Sequence, residues 1–158
     1  MKYQIVSERR VNNNAVIKTS DDAYEMVKRY KNEEKEHLIV ITLNNNHNPI
    51  SVIIASIGLV NKTIVHPREV FVCAIKDMAS GIIVCHNHPS GSLEVSQEDI
   101  EITERLCGAG KILGIKVVDH LIFTKTGYKS LRKSGYFQIE EEENDKSKAI
   151  FSENTICI

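Results

Sequence analysis

A chain of 158 residues can bury one full hydrophobic core and is too short for two ordinary domains. Its hydrophobic fraction of 42% and charged fraction of 26% are typical of a soluble globular protein, and the absence of a run of about 18 apolar residues argues against a membrane span. The net charge of −1, without a dense basic run, argues against autonomous nucleic-acid binding.

The N-terminus and the cysteines indicate the compartment. The first residues, MKYQIVSERR, lack a basic-then-apolar leader, so we expect a cytoplasmic protein. The four cysteines are scattered without a CxxC pair, which argues against a disulfide framework and against a thiolate zinc cluster. These cysteines are Cys73, Cys85, Cys107 and Cys157.

The first predicted elements are a helix and a β-hairpin. Ser20 as N-cap and acidic residues in the first turn predict an amphipathic helix from Thr19 onward, with four apolar residues at helical spacing. Two runs rich in Ile and Val follow, separated by an Asn-rich turn that ends at Pro49, and this pattern predicts a two-stranded hairpin. The apolar helix positions are Ala23, Met26, Val27 and Tyr30.

Two further helices and two strands are predicted after the hairpin. Pro67 at a first helical position opens a helix in HPREVFVCAIKDMA, and the short run GIIVC suits a central strand. The segment SQEDIEITERLCGAGKILG predicts a helix that ends near Gly114, and IKVVDHLIFT predicts a strand before a turn at Thr126 and Gly127. The predicted inward positions are Val70, Phe71, Ala74, Ile75 and Met78 in the first helix, and Ile100, Thr103, Leu106 and Cys107 in the second.

Strands that alternate with helices of this length indicate an α/β fold, in which a mixed sheet is flanked by helices. We expect one domain over residues 19–137, preceded by an N-terminal segment at 1–18. Residues 138–158 begin with the like-charged block QIEEEENDKSK, which is unlikely to pack, so we expect an acidic, disordered C-terminal tail.

The stretch CHNHPSGSLEVSQED places two histidines at the end of the GIIVC strand. His86 and His88 are separated by one residue, so in an extended segment both side chains point to the same side and can converge on one ion. Neutral imidazoles are preferred zinc ligands. An HxH pair also occurs on surfaces that bind no metal, so the pair alone leaves both interpretations open.

Ser96 and Asp99 have two interpretations as well. Ser-x-x-Asp before a helical pattern is a capping box, which would account for both residues. The seven-residue loop PSGSLEV could also fold the helix start back over the strand end, and Asp99 would then supply a third zinc ligand. Three protein ligands with a fourth position left for water are typical of a catalytic zinc site.

The pattern H-x-H-x7-S-x2-D formed by His86, His88, Ser96 and Asp99 resembles the metal motif of JAMM (MPN-type) zinc proteases. More specifically, EHLIVITLNNNHNPI, VHPREVF, HNHPSGSLEVSQEDI, LGIKVVDHLIF and YKSLRKSGYF together resemble the RadC family, over roughly Thr19 to Phe137. The resemblance implies the three-layer JAMM/MPN architecture, which is similar to that of cytidine deaminases, and a Zn²⁺ cofactor held by the two histidines and the aspartate.

The same resemblance implies a zinc-dependent metallopeptidase or isopeptidase, in which a zinc-activated water attacks an amide bond. It also implies a general-base glutamate upstream of the histidines, at the start of a strand. Glu36 fits that place, and Glu69 in HPREVF is the rival. Ser96 would donate a hydrogen bond to the developing oxyanion.

Three other interpretations concern neighbouring residues. The string HNH differs from HNH nucleases, whose named residues are dispersed over a ββα unit. Cys85 is interpreted as a buried small residue and not as a nucleophile, because its side chain points away from His86. Asp119 and His120 are interpreted as a hydrogen-bonded structural pair, with a role for one of them in positioning the site as the alternative.

A second class of function stays open at this point. A RadC-type module could serve DNA repair or mobile-element biology by binding a protein or DNA partner without hydrolysis, since a fold and a family name do not establish an activity. Under the enzyme hypothesis the partner is a peptide or protein substrate, and no membrane partner is expected. DNA remains a weakly supported partner because no basic patch is visible.

Overall fold

The computed structural model describes residues 7–11, 15–58 and 65–137, and these residues form an α/β domain. Within them the chain forms strands and helices in the order β1, α1, β2, β3, α2, β4, α3, β5, β6. The bounds are β1 Ser7–Arg10, α1 Ser20–Val27, β2 His37–Leu43, β3 Pro49–Ile57, α2 Pro67–Lys76, β4 Gly81–Asn87, α3 Gln97–Leu113, β5 Lys116–Phe123 and β6 Tyr128–Ser130. A 3₁₀ turn, Lys28–Tyr30, extends α1.

The strands form one mixed sheet in the order β1-β3-β2-β4-β5-β6. Neighbouring strands are antiparallel except for β4 and β5, which are parallel and are connected by α3. A parallel pair needs a long crossover, and α3 is that crossover. The expectation of a mixed sheet flanked by helices is confirmed.

Helices cover both faces of the sheet. On one face α2 and α3 bury Val70, Phe71, Ile102 and Leu106 against alternate residues of β2 and β4. On the other face α1 contributes Ala23 and Val27 to a second core. All seven residues of β4 are buried, as expected for a strand that lies between two others and under helices on both sides.

The hairpin and the central strand lie where the sequence patterns predict them, whereas several details differ. Thr19, and not Ser20, is the N-cap of α1: its hydroxyl accepts the Asp22 N–H in a capping box. Ser20 is the first helical residue and is buried, because its hydroxyl donates to Asp119 across the interface with β5. Burial at this position therefore reflects a tertiary hydrogen bond and not a cap.

The predicted inward faces of α2 and α3 were partly wrong. Helix α2 ends at Lys76, and Ile75 and Met78 are exposed because the chain turns toward β4 directly after the helix. In α3, Ile102 is buried and Ile100 only half-buried. The start of α3 is tied to the end of β4 by the Asp99 side chain, and this contact determines which side of the helix faces the sheet.

Two edge strands were not predicted. Strand β1 pairs with β3, and the three-residue β6 pairs with β5. Short edge strands take their conformation from the neighbouring strand, so their local sequence is a weak indicator. The acidic tail expected at 138–158 lies outside the described residues. No helix in the described ranges has the length and apolarity needed to cross a bilayer.

The order of the strands determines where polar side chains can gather. Strand β4 ends at Asn87 in the middle of the sheet, and α3 begins ten residues later, after a loop that returns over the same edge. The carboxyl end of β4, the amino end of β2 and the amino end of α3 therefore meet. In α/β sheets such edges are the usual position of ligand sites.

Two glycines of α3 provide a matched test of this packing. A Cβ at Gly110 would lie 2.4 Å from the Ile115 carbonyl oxygen and 3.3 Å from the Phe71 ring, whereas a Cβ at Gly108 would meet no atom within 4 Å. We expect Gly110→Ala to lower the free energy of unfolding by about 1–3 kcal/mol. We expect Gly108→Ala to raise it by roughly 0.5–1 kcal/mol, because alanine favours the helix.

Urea denaturation of the two variants and the wild type measures both effects. Equal stabilities for Gly110→Ala and Gly108→Ala would contradict the close approach of α3 to the chain at Ile115.

Candidate metal centre

Two imidazoles lie together at the carboxyl end of β4. His86 belongs to the strand and is fully buried, and His88 follows it with a partly exposed ring. Residues two apart in an extended chain share one face of the sheet, which here is the face covered by α2 and α3. The two Nε2 atoms are 2.8 Å apart. The convergence predicted from the HxH spacing is thus present.

A tight turn after β4 orients the His88 ring. The Gly91 N–H donates to the His88 carbonyl, and Gly91 has a φ of +83°, a left-handed conformation that glycine adopts without strain. The chain then passes back so that the Ser92 carbonyl lies 2.9 Å from His88 Nδ1. A carbonyl oxygen can only accept, so Nδ1 carries the ring proton and Nε2 of a neutral His88 has a free lone pair.

Asp99 has both of the roles that the sequence left open. It lies in the first turn of α3, where its Oδ2 accepts the Ser96 N–H at 2.8 Å while the Ser96 hydroxyl accepts the Asp99 N–H at 3.1 Å. Its Oδ1 lies 3.1 Å from His86 Nε2, and its Oδ2 lies 3.8 Å from His88 Nε2. The capping box therefore holds the carboxylate in the orientation that faces both imidazoles.

The charge of Asp99 follows from its surroundings. Burial by itself would raise the pKa of this carboxyl, but the hydrogen bond and charge of His86, together with the hydrogen bonds of Ser96, lower the pKa below its ordinary value. The positive end of the α3 dipole acts in the same direction. Asp99 is therefore an anion at neutral pH, held against two ring nitrogens.

A third histidine lies behind the first two. His120 of β5 is fully buried, and its Nε2 lies 2.9 Å from His86 Nδ1. Its other ring nitrogen lies 2.6 Å from the hydroxyl of Thr103 in α3. Burial and the neighbouring His86 lower the pKa of His120 to about 3, so this ring is neutral.

Asp119 and His120 do not form the structural pair that the sequence suggested, because adjacent strand residues point to opposite faces. Asp119 faces α1, where its carboxylate accepts hydrogen bonds from the hydroxyls of Ser20 and Ser130. Only its contact with the His120 backbone N–H, at 2.8 Å, joins the two residues. Asp119 therefore ties α1 and β6 to the sheet, while His120 belongs to the cluster on the other face.

Cys85 also points away from the cluster, as predicted. It is fully buried in the core on the α1 side of the sheet. Burial, followed by the nearby Asp119 charge, raises the pKa of this thiol well above its ordinary value. A protonated, enclosed thiol is a packing residue and not a nucleophile.

Glu36 lies directly before β2 and is aligned with the two imidazoles. The β2–β4 pairing ends where Leu38 pairs with His86, and Glu36 lies two residues before Leu38, as His88 lies two residues after His86. The alternation of the strand puts Glu36 on the same face as Leu38, which packs under α2 and α3. Glu36 is half-buried.

The rival glutamate, Glu69, lies in the first turn of α2 and is also half-buried. The other end of α2 is located by Asp77, whose carboxylate accepts the hydroxyl of Thr42 near the end of β2. This contact fixes the end of α2 beside the end of β2. Glu36 is favoured by its place two residues before Leu38, which pairs with His86, whereas Glu69 lies on a separate helix.

Asn87, between the two histidines, holds the segment that carries Glu36. Its side chain points to the opposite face and is buried. Its Oδ1 accepts the His37 N–H at 2.6 Å, and its Nδ2 donates to the carbonyls of Lys35 at 3.0 Å and Glu33 at 3.3 Å. These three bonds attach the chain on both sides of Glu36 to the end of β4.

The side chains of His86, His88 and Asp99 fit a zinc ion. In the part of the chain that the structure describes, they are the group of histidine, cysteine and acidic residues whose ligand atoms all lie within 4.8 Å of one another. Ligands of a tetrahedral zinc are separated by about 3.3 Å, given bonds of about 2.0 Å. The distances of 2.8, 3.1 and 3.8 Å within the cluster lie on both sides of that value.

The fold and this cluster define a three-layer α/β domain with a His-His-Asp site of metal-ligand composition at the end of its central strand. The sequence profile of the RadC-like JAB domain matches residues 17–136, which is well over half of the chain. The chain therefore belongs to the RadC-like JAB domain family, and the resemblance drawn from its motifs is confirmed.

Several curated relatives are similar to the same part of the chain. The UPF0758 protein of Methanospirillum hungatei is 52% identical over 104 residues, which are 66% of this chain and 46% of that protein. The relative in Caldanaerobacter subterraneus is 51% identical over 106 residues, covering 67% and 46%. The one in Staphylococcus aureus is 42% identical over 139 residues, covering 87% and 62%.

The chain thus spans about half the length of the curated relatives it matches, between 46% and 62% for these three. Their shared name, UPF0758 protein, states no activity. The comparisons therefore establish the family and state no chemistry.

Two residues of this region, Asn87 and Thr103, are not predicted from the sequence as part of the site, although Thr103 is predicted as an inward position of its helix. The interpretation of His120 as half of a structural pair is replaced by its place in the cluster. For Thr103 and His120 no local pattern indicates the site, because their contact joins residues 17 positions apart that meet only when α3 packs against the sheet.

Replacing Asn87 tests the attachment of the Glu36 segment. We expect Asn87→Ala to lower the free energy of unfolding by about 1–3 kcal/mol, because the buried His37 N–H would lose its acceptor. Hydrogen exchange of the His37 amide should accelerate. The exposed Asn45 in the β2–β3 turn provides the control, and Asn45→Ala should change stability by less than about 0.5 kcal/mol. Unchanged exchange at His37 in Asn87→Ala would contradict this assignment.

Proposed function

We propose that the domain is a zinc-dependent amide hydrolase of the JAMM type, with a peptide or isopeptide as substrate. The observation that carries the proposal is the convergence of His86, His88 and the ionised Asp99 at one buried point. Three protein ligands of this composition are those of a catalytic zinc site, which keeps one position open. Family membership supports the same chemistry.

In this proposal the three side chains hold the metal through His86 Nε2, His88 Nε2 and a carboxylate oxygen of Asp99. Zinc bound there would supply a Lewis acid that activates water at neutral pH and polarises the substrate carbonyl. The partly exposed His88 marks the open side of the site, while His86 and Asp99 lie deeper. Substrate therefore approaches from the side of the loop that follows His88.

Glu36 is the proposed general base. A base must lie within hydrogen-bond reach of the proton that it removes, and the position of Glu36 two residues before Leu38, the partner of His86, supports this role. The carboxylate would accept a proton from the attacking water and pass it to the amine that leaves. Asn87 would keep the Glu36 segment in place through its bonds on either side.

Ser96 is the proposed oxyanion donor. Its oxygen accepts the Asp99 N–H in the capping box, so its own hydroxyl hydrogen can point toward substrate. A preorganised donor of this kind stabilises charge that develops on the carbonyl oxygen in the transition state. The capping box would then serve both the helix and the chemistry.

Zinc binding is the first prediction of this proposal. Tag-free wild-type protein should contain about one zinc per chain by elemental mass spectrometry, as a single three-ligand site requires. Free zinc at about 100 times its Kd should stabilise the fold by about 2.7 kcal/mol, seen as a rise in Tm. His88→Ala should lose both the metal and the rise in Tm, because a ligand is removed.

His47→Asn is the matched control for that measurement. His47 is exposed in the β2–β3 turn, at the opposite end of β2 from Glu36, and its φ of +60° suits asparagine. This variant should keep its zinc and its zinc-dependent Tm. A wild-type protein that neither contains zinc nor takes it up would contradict the hydrolase proposal.

The identity of the base gives a second prediction. Glu36→Gln should abolish cleavage of a peptide and isopeptide library while the zinc content stays at the wild-type level, because the amide cannot accept the proton. Glu69→Gln should keep most of the activity. Glu34→Gln, in the exposed part of the same segment, should behave as the wild type.

The result that reverses the assignment is equally specific. Full activity in Glu36→Gln with loss of activity in Glu69→Gln would transfer the role of general base to the helix α2.

A further inference from the structure

A line of three buried hydrogen bonds runs behind the His-His-Asp cluster. His86 Nδ1 contacts His120 Nε2 at 2.9 Å, His120 Nδ1 contacts the Thr103 hydroxyl at 2.6 Å, and that hydroxyl donates to the Asp99 carbonyl at 2.6 Å. All four residues are at most 2% exposed. The line, called here the His120–Thr103 chain, therefore starts at one residue of the cluster and ends on the backbone of another.

The direction of this chain can be worked out from its last member. A backbone carbonyl only accepts, so the single hydroxyl hydrogen of Thr103 is used on Asp99. The Thr103 oxygen must then accept from His120 Nδ1, which leaves Nε2 of a neutral His120 with a lone pair. That lone pair accepts from His86 Nδ1, so a neutral His86 carries its one proton on Nδ1 and has a bare Nε2.

Both cluster histidines, when neutral, carry the proton on Nδ1, but different partners fix that tautomer. His88 donates its Nδ1–H directly to the Ser92 carbonyl, which can only accept, so this contact alone fixes the tautomer of His88. Among the residues that the structure describes, His86 Nδ1 contacts another imidazole, which is able to donate as well as accept. The tautomer of His86 therefore depends on Thr103, two hydrogen bonds away.

We propose that His120 and Thr103 are positioning residues that hold His86 in the Nδ1–H tautomer and aim its Nε2 at a divalent metal ion. This inference rests on the proposed function, because the His120–Thr103 chain orients His86 for a metal only if the cluster binds one. Partners behind a metal-binding histidine orient its ring and typically change metal affinity by 10- to 100-fold when they are removed. The His120–Thr103 chain also links the position of His86 to the start of α3, which carries Asp99.

The zinc affinity of the complete protein is the first measurement. Titration with inorganic zinc against a chromogenic chelator compares the wild type with Thr103→Val, which keeps the shape and removes the hydroxyl. The dissociation constant for zinc should rise by about 10- to 100-fold. Thr103→Ser retains a hydroxyl and should restore affinity to within about threefold of the wild type, a rescue that loss of packing alone would not produce.

Thr42→Val is the matched control. Thr42 is buried, and its hydroxyl donates at 2.6 Å to Asp77 near the other end of β2, so the same substitution removes a comparable buried bond. It should lower stability and leave zinc affinity unchanged. Wild-type affinity in a folded Thr103→Val variant, or an equal loss in Thr42→Val, would overturn the inference.

A spectroscopic measurement on the wild-type protein avoids any question of folding. Imidazole ¹⁵N NMR should find the His120 proton on Nδ1 and none on Nε2; a proton on His120 Nε2 would mean that the chain runs in the opposite direction and would overturn the inference. The titration separates this result from the proposed function. A wild-type protein that binds no zinc overturns the proposed function. If the wild type binds zinc and Thr103→Val binds it with the same affinity, only the role of the His120–Thr103 chain is overturned.

Discussion

The contact of the Asp99 carboxylate with two imidazoles is the interaction on which the site depends. The carboxylate belongs to the first turn of α3 and the imidazoles to the end of β4, so this contact joins the crossover helix to the central strand. An unpaired buried charge would be costly, and the hydrogen bonds of Ser96 offset that cost at the amino end of the helix. The same atoms thus cap a helix, close a loop and complete the His-His-Asp cluster.

The two faces of the sheet use buried carboxylates for different purposes. On the α1 face, Asp119 accepts from Ser20 and Ser130 and holds a helix and an edge strand in place. On the other face, Asp99 is directed at the Nε2 atoms of His86 and His88. A carboxylate surrounded by hydroxyl and amide donors is fully satisfied, whereas one that faces two imidazole nitrogens needs a proton or a metal ion between them. The partners of each aspartate therefore distinguish a packing role from a chemical one.

Much of the site could be predicted because its main parts are local in sequence. The spacing of His86 and His88 makes them share a strand face, and the Ser96–Asp99 capping box marks the start of the next helix. The central strand is short, apolar and bounded, so it was also predictable. Exposure of Ile75 and Met78 was not, because it depends on where α2 ends relative to β4 and not on helical periodicity.

The sequence by itself determined the class of fold, the family, and the two histidines and the aspartate of the cluster, since these follow from periodicity and from one contiguous motif. Only the tertiary structure decided which residues lie behind and beside that cluster. The contact of Thr103 with His120 joins residues 17 positions apart, that of His120 with His86 residues 34 apart, and that of Asn87 with His37 residues 50 apart. Their positions depend on strand order and register, which arise from packing of the whole sheet and not from any local pattern.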